Sequence, residues 1–164
     1  MNEYVYIGKV IGTHALNGEV KIRSYFTFID KVMKVGRVLY LGEDYIPHQI
    51  KSIRIHKENY LVLFQNLENI NLVLNLVGKS VYVKKSELKL EKDEYLYDDL
   101  LGFNVVYQNV VLGKVSEIFD SGNNQVMRVK MNLRDLLIPC HKEFICFIDE
   151  EKKIVKVNLI TGMI

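Results

Sequence analysis

Between residues 19 and 26 the charged side chains of Glu19, Lys21 and Arg23 alternate with Val20, Ile22 and the less polar Ser24. A period of two belongs to a strand with one wet face. Runs rich in Val, Ile, Tyr and Phe recur at 4–11, 37–41, 45–56, 60–65 and 79–84. They resume at 103–107, 111–119, 125–131, 136–140 and 154–158, with a weaker run near 144–148. Turn formers separate them: Asn17-Gly18, Lys57-Glu58-Asn59 and Gly122-Asn123-Asn124. Many short strands with close turns predict antiparallel sheets closed into barrels or sandwiches. In 45–56, Ile50, Ile53 and Ile55 do not share one parity, which predicts a bulge near Lys51-Ser52.

Helical signals are few. Residues 28–36 suit one short turn before Gly36, and Asp99-Leu100-Leu101-Gly102 another. The strongest helix candidate is 69–77, where Ile70, Val73, Leu74 and Val77 form an apolar stripe and Gly78 provides a stop.

Residues 85–98 (Lys-Ser-Glu-Leu-Lys-Leu-Glu-Lys-Asp-Glu-Tyr-Leu-Tyr-Asp) break the β pattern. Charge changes there too. Residues 1–86 carry 12 Lys/Arg against 7 Asp/Glu, a net of +5; residues 87–99 carry 2 against 6, a net of −4; residues 100–164 carry 8 against 7, a net of +1. This predicts a first module at 1–86, a linker at 87–98 and a second module at 99–164. The basic excess of the first module suits phosphate contacts or an ordinary solvated surface, and charge alone leaves both open.

Several function classes find no support. Nucleotide-binding glycine loops, the helical zinc-protease motif and the G-x-S-x-G elbow are absent. No stretch approaches the roughly 18 apolar residues of a membrane span. The opening MNEYVYIGKV lacks the build of a secretory signal, and two cysteines are too few for a disulfide framework, so a cytoplasmic location is expected. Cys140-His141 with Cys146 is not a zinc spacing, and adjacent strand residues face opposite ways, so two buried core thiols are expected rather than a nucleophile pair. His14 in the first loop reads as a hydrogen-bonding residue. Tyr95 and Tyr97 stand among Asp93, Glu94, Asp98 and Asp99 and would share one face of a strand. They serve either to lock two modules together or to anchor a partner protein.

Residues 7–25, IGKVIGTHALNGEVKIRSY, resemble the opening of the RimM ribosome maturation factors, close to V-G-x-I-x-G-T-H-G-L-x-G-E-V-R-V. Gly8, Gly12, Thr13, His14, Leu16, Gly18, Glu19 and Val20 match, and Ala15 stands for a usual Gly. Glu94 to Gly102 is similar to the family's E-Y-Y-W-x-D-L-I-G, with Leu96 in place of the second tyrosine and Tyr97 in place of the Trp. Gly113-Lys114-Val115, Ser121 to Asn124, Ile138-Pro139, Ile148-Asp149 and Gly162-Met163-Ile164 follow in family order. The family's charged helix residues are replaced by Ile70, Val73 and Leu74.

The resemblance implies a mainly β chain of two barrels joined by a short linker, a translation-factor-like N-terminal barrel and a C-terminal PRC-barrel. It implies a monomeric binding protein with no catalytic residue, cofactor or metal. Its expected partners are the immature small ribosomal subunit, 16S rRNA, and a ribosomal protein of the 30S head (small-subunit protein number nineteen). Tyr95, Tyr97 and Leu96 are the expected protein contacts, and Lys9, His14, Lys21 and Arg23 the expected rRNA contacts. Two other classes remain open: an enzyme or redox protein using Cys140 and His141, and a scaffold that binds proteins but no RNA.

Overall fold

The computed structural model describes residues 3–92, 94–122 and 124–163. The chain divides into two compact units, Met1–Lys89 and Leu90–Ile164.

The first unit holds β1 (Tyr4–His14), β2 (Glu19–Arg23), α1 (Ile29–Val32), β3 (Val38–Leu41), β4 (Ile46–His56), β5 (Asn59–Phe64), α2 (Ile70–Val73) and β6 (Ser80–Lys84). The strands form a closed barrel in the order β1-β2-β5-β4-β3-β6, and the ring closes where Tyr40 meets Tyr82 and Leu41 meets Val81. Inward positions alternate with outward ones, so Val20, Ile22, Leu39, Ile50, Val62 and Val81 are fully buried. β1 serves two neighbours and carries two register shifts, between Tyr6 and Gly8 against β6 and between Val10 and Gly12 against β2. Such bulges bend a strand far enough to close a small barrel. Gly8 has to be glycine, because any Cβ there would collide with the Arg23 carbonyl oxygen. The bulge expected near Lys51-Ser52 is present as the register shift between Ile50 and Ser52.

The Asn17-Gly18 turn joins β1 to β2. Gly18 has φ +97, and a Cβ on it would lie 2.5 Å from the Leu67 carbonyl oxygen, so the turn packs directly on the approach to α2. That helix differs from the stripe expected over 69–77. Asn69 caps it by accepting from the Asn71 N–H at 2.8 Å, and α2 then tightens into a 3-10 turn over Leu74–Leu76. Three residues per turn put Val73 and Leu76 underneath, while Leu74 and Val77 face solvent. The segment also has to meet β1, where the Gly78 N–H donates to the Val10 carbonyl at 2.8 Å.

Residues read as linker are partly built into the first unit. Lys85–Glu87 forms a 3-10 turn, Leu88 is buried, and the Tyr40 hydroxyl donates to the Glu87 carboxylate at 3.0 Å.

The second unit opens with a 3-10 turn at Tyr97–Leu100 and continues with β7 (Asn104–Tyr107), β8 (Val110–Ser121), β9 (Asn124–Lys130), β10 (Asp135–Pro139), β11 (Ile145–Asp149) and β12 (Ile154–Val157). The sheet order is β10-β9-β8-β7-β12-β11. All six strands contribute to one core that includes Val105, Val115, Met127, Ile138, Ile145 and Val155. Among the described residues the only helical element that adds to that face is the short 3-10 turn, through Leu100, so the sheet curls around its own apolar side. One pairing departs from the antiparallel expectation: β12 runs parallel to β7, with Val155 opposite Val105. The β11–β12 hairpin returns at the start of β7 rather than its end, anchored by the Asn104 N–H on the Lys153 carbonyl.

Candidate nucleic-acid interface

The β1–β2 ribbon sorts its side chains by parity. Val10 and Ile22 pair on the inner face, so Lys9 with Arg23, Gly12 with Lys21, and His14 with Glu19 pair on the outer one. The four residues expected to meet RNA therefore share one face. From Arg23 to Glu19 that face runs roughly 14 Å at about 3.4 Å per residue. Lys9 and Arg23 are exposed, and neither has an ion-pair partner among the described residues.

At the far end the surface is more elaborate than the sequence indicated. Glu19 is only 7% exposed, and Arg54 of β4 forks it, Nε donating to Oε2 and Nη2 to Oε1, both at 3.0 Å. The hydrogen bonds from Arg54 hold the Glu19 carboxyl below the usual carboxylate range; burial opposes them, and the charges of Arg54 and His14 add to them. His14 and His56 lie with ring centres 5.2 Å apart at 47°. Burial, followed by the charges of His14, Lys57, Arg54 and Lys21, lowers the His56 pKa. Arg54 and His14 thus act on one buried carboxylate that is already bonded, and His14, Lys57, Arg54 and Lys21 surround the neighbouring His56. Such a surface can donate hydrogen bonds to phosphate oxygens from several side chains at once.

Arg54 and His56 went unnoticed in the sequence. The signal was available: Ser52, Arg54 and His56 alternate along β4, and Lys21, Leu61 and Arg54 fall in one cross-strand row. What periodicity does not give is the partner strand.

The tyrosines at 95 and 97 do not lie in a strand: Tyr95 is outside regular structure and Tyr97 opens a 3-10 turn. Leu96 is extended at φ −80 and caps the 3-10 turn that begins at Tyr97. Burial still alternates: Leu96 is 4% exposed, while Tyr95 and Tyr97 are half-buried. Tyr97 packs against the core of the second unit, so part of its role is structural.

Cys140 packs on the same core, and burial, aided by Asp98, pushes its thiol up to about 12. Its neighbour His141 accepts the Glu143 N–H on Nδ1 at 3.1 Å. A thiol so reluctant to ionise is a poor nucleophile. Cys146 was expected in the core but is exposed. The β11 register shifts between Ile145 and Phe147, and the bulge turns Cys146 and Phe147 outward together. Among the described residues no cluster of His, Cys, Asp and Glu could hold a metal ion, and no helix is long and apolar enough to cross a membrane.

Comparison with known proteins matches residues 5–88 to the RimM N-terminal domain and residues 97–163 to the RimM PRC barrel domain. The chain belongs to the RimM family. A "Ribosome maturation factor RimM" of Oceanobacillus iheyensis is 38% identical, covering 96% of this chain and 95% of its own. The RimM of Ligilactobacillus salivarius is 35% identical over 98% of each. A solved Pseudomonas aeruginosa chain described as a 16S ribosomal RNA processing protein RimM covers 96% of this chain and 98% of its own, at 22% identity and a TM-score of 0.47. That likeness is too loose to add to the family match. The two RimM domains correspond to the two β units described above.

Proposed function

We propose that the chain is a non-enzymatic ribosome maturation factor that binds the immature small subunit at its head and assists assembly and 16S rRNA processing. The names of its full-length relatives support the general role. The observation that carries the RNA half is the shared outward face of Lys9, His14, Lys21 and Arg23, extended by Arg54 and His56. The lysines and arginines of this face contact rRNA phosphates, with the imidazoles as neighbouring hydrogen-bonding groups; such contacts position a strand without reading its bases. Tyr95 and Tyr97, with Leu96 buried behind them, contact a ribosomal protein of the 30S head. Occupying both sites favours rRNA conformations in which the two contacts are correctly spaced, so binding shifts a population and no bond is made or broken. The protein works as a cytoplasmic monomer and needs no cofactor.

Filter binding to a 16S rRNA head fragment at several salt concentrations tests the RNA half. Lys21→Ala with Arg23→Ala should weaken binding and flatten the salt dependence by about one unit of slope per lost phosphate contact. Unchanged affinity and slope would remove this face from the account and favour a protein-only scaffold.

A further inference from the structure

The other side of the same barrel carries a cluster of tyrosines. Tyr4 and Tyr6 of β1 face outward, as do Ser80, Tyr82 and Lys84 of β6, while Val5, Ile7, Val81 and Val83 point inward. Tyr40 of β3 lies opposite Tyr82. Tyr45 enters from the β3–β4 turn and stacks on Tyr4, with ring centres 3.9 Å apart and planes 3° from parallel. Tyr82 meets Tyr45 edge-on at 4.8 Å and Tyr6 edge-on at 6.0 Å. Lys84 sits 5.4 Å from the Tyr40 ring and 6.0 Å from that of Tyr4.

Three features set this cluster apart from core packing. It lies outside the barrel, and Tyr6 keeps 39% of its surface in solvent. Its outward β1 and β6 positions offer tyrosine, lysine and serine, with no aliphatic side chain that a protein partner would bury. Tyr45 adopts φ +52, an unusual region for an aromatic residue, and in doing so lays its ring on Tyr4.

Cations flank one side of the cluster. Three residues beyond Tyr6, Lys9 pairs with Arg23, so the tyrosine face runs without a break into the basic ribbon. The opposite side, at Tyr45, is bordered by the exposed acids Glu43 and Asp44. Lys84, paired with Tyr4, sits at the far end of the ladder from Lys9, so a polyanion would run from Lys84 past Tyr82 and Tyr6 toward Lys9 and Arg23, and away from the β3–β4 turn. Aromatic rings beside a track of cations suit unpaired nucleotides, whose bases stack while their phosphates meet lysine and arginine. A duplex cannot use the rings, because its bases are already stacked.

We infer that the outer face of β1 and β6 is a stacking platform for a single-stranded RNA segment, with Tyr6 and Tyr82 receiving bases and Lys84, Lys9 and Arg23 receiving phosphates. This inference rests on the RNA-binding role proposed above and adds the kind of RNA: an unpaired stretch.

Because the chain has no Trp, its ultraviolet emission comes from tyrosine, and a stacked base quenches it. The full-length protein is titrated with a short uridine oligoribonucleotide and with a duplex RNA of equal length. The wild type should prefer the single strand, with quenching that tracks binding. Tyr6→Leu and Tyr82→Leu should each weaken single-strand binding about tenfold while leaving duplex binding and Tm nearly unchanged. Tyr6→Phe keeps the ring and should bind as the wild type does, so it serves as the folded control if either Leu variant unfolds. Wild-type affinity in folded Leu variants, lost affinity in Tyr6→Phe, or equal affinity for single strand and duplex would overturn the platform. If it fails while binding to the 16S fragment remains sensitive to Lys21→Ala, the broader RNA-binding role survives without it. Binding to a head ribosomal protein that Tyr6→Leu abolishes, without any oligonucleotide binding, would reassign the face to protein.

Discussion

Arg54 crosses the outside of the first barrel to fork Glu19, a carboxylate 35 residues away in sequence, with two hydrogen bonds of 3.0 Å. The pair ties β4 to β2 across β5 and organises the basic end of the candidate interface.

Removing the guanidinium should therefore carry a pH signature. A carboxyl whose folded pKa is depressed stabilises the fold above its unfolded value of about 4.3, and that contribution is lost as pH falls through the folded pKa. Arg54→Ala should lower Tm by a few degrees at neutral pH, and its gap from the wild type should narrow as the pH drops below about 4. A gap constant from pH 7 to 3, measured by circular dichroism, would mean that the ion pair does not set Glu19's titration.

The two cysteines should behave differently. Cys146, exposed at the β11 bulge, should react quickly with an aromatic disulfide reagent at pH 8, and Cys140 only slowly. Cys140→Ala should cost about 1–2 kcal/mol of stability, and Cys146→Ser should fall within about 0.5 kcal/mol of neutral. Neither change should affect binding to the small subunit. Lost association in a folded double variant would reopen the thiol reading.

The residues at 95–97 should separate by role. Leu96→Ala should destabilise by about 2–5 kcal/mol, as expected for a buried Leu. Tyr97→Ala should also lower Tm, since its ring rests on the second core. Tyr95→Ala should leave Tm close to wild type but weaken binding to the head ribosomal protein at least tenfold, about 1.4 kcal/mol. Calorimetry and a binding titration on the same samples check both, and intact binding in Tyr95→Ala would withdraw the anchor.

Each unit should fold alone. Fragments 1–89 and 90–164, matched to the compact units, should each give a cooperative thermal transition. Limited proteolysis should cut between them first. A fragment with no transition would show that its core depends on the rest of the chain.

Most of the architecture was legible because strand periodicity and turn chemistry are local. The Asn17-Gly18 turn, the bulge at Ile50–Ser52 and the six strands of each unit all follow from neighbouring residues. What stayed hidden depends on contacts distant in sequence. Whether β12 runs parallel to β7 depends on where the β11–β12 hairpin returns, which no window of residues records. The stripe at Ile70, Val73, Leu74 and Val77 was counted at 3.6 residues per turn, but packing onto β1 tightened the helix and brought Leu76 inside instead. A bulge at Cys146 likewise reversed the parity that would have buried it. The cationic face was half legible: Lys21 and Arg23 stand out in β2, whereas Arg54 and His56 join them only once the barrel closes.

The proposed role requires selective binding to an unfinished small subunit. Co-sedimentation of the full-length protein with immature and mature 30S particles, at matched salt, measures it directly. A stoichiometric complex with immature particles that weakens as salt rises is expected, with much weaker pelleting with mature ones. Equal pelleting with both particles, or none with either, would contradict it.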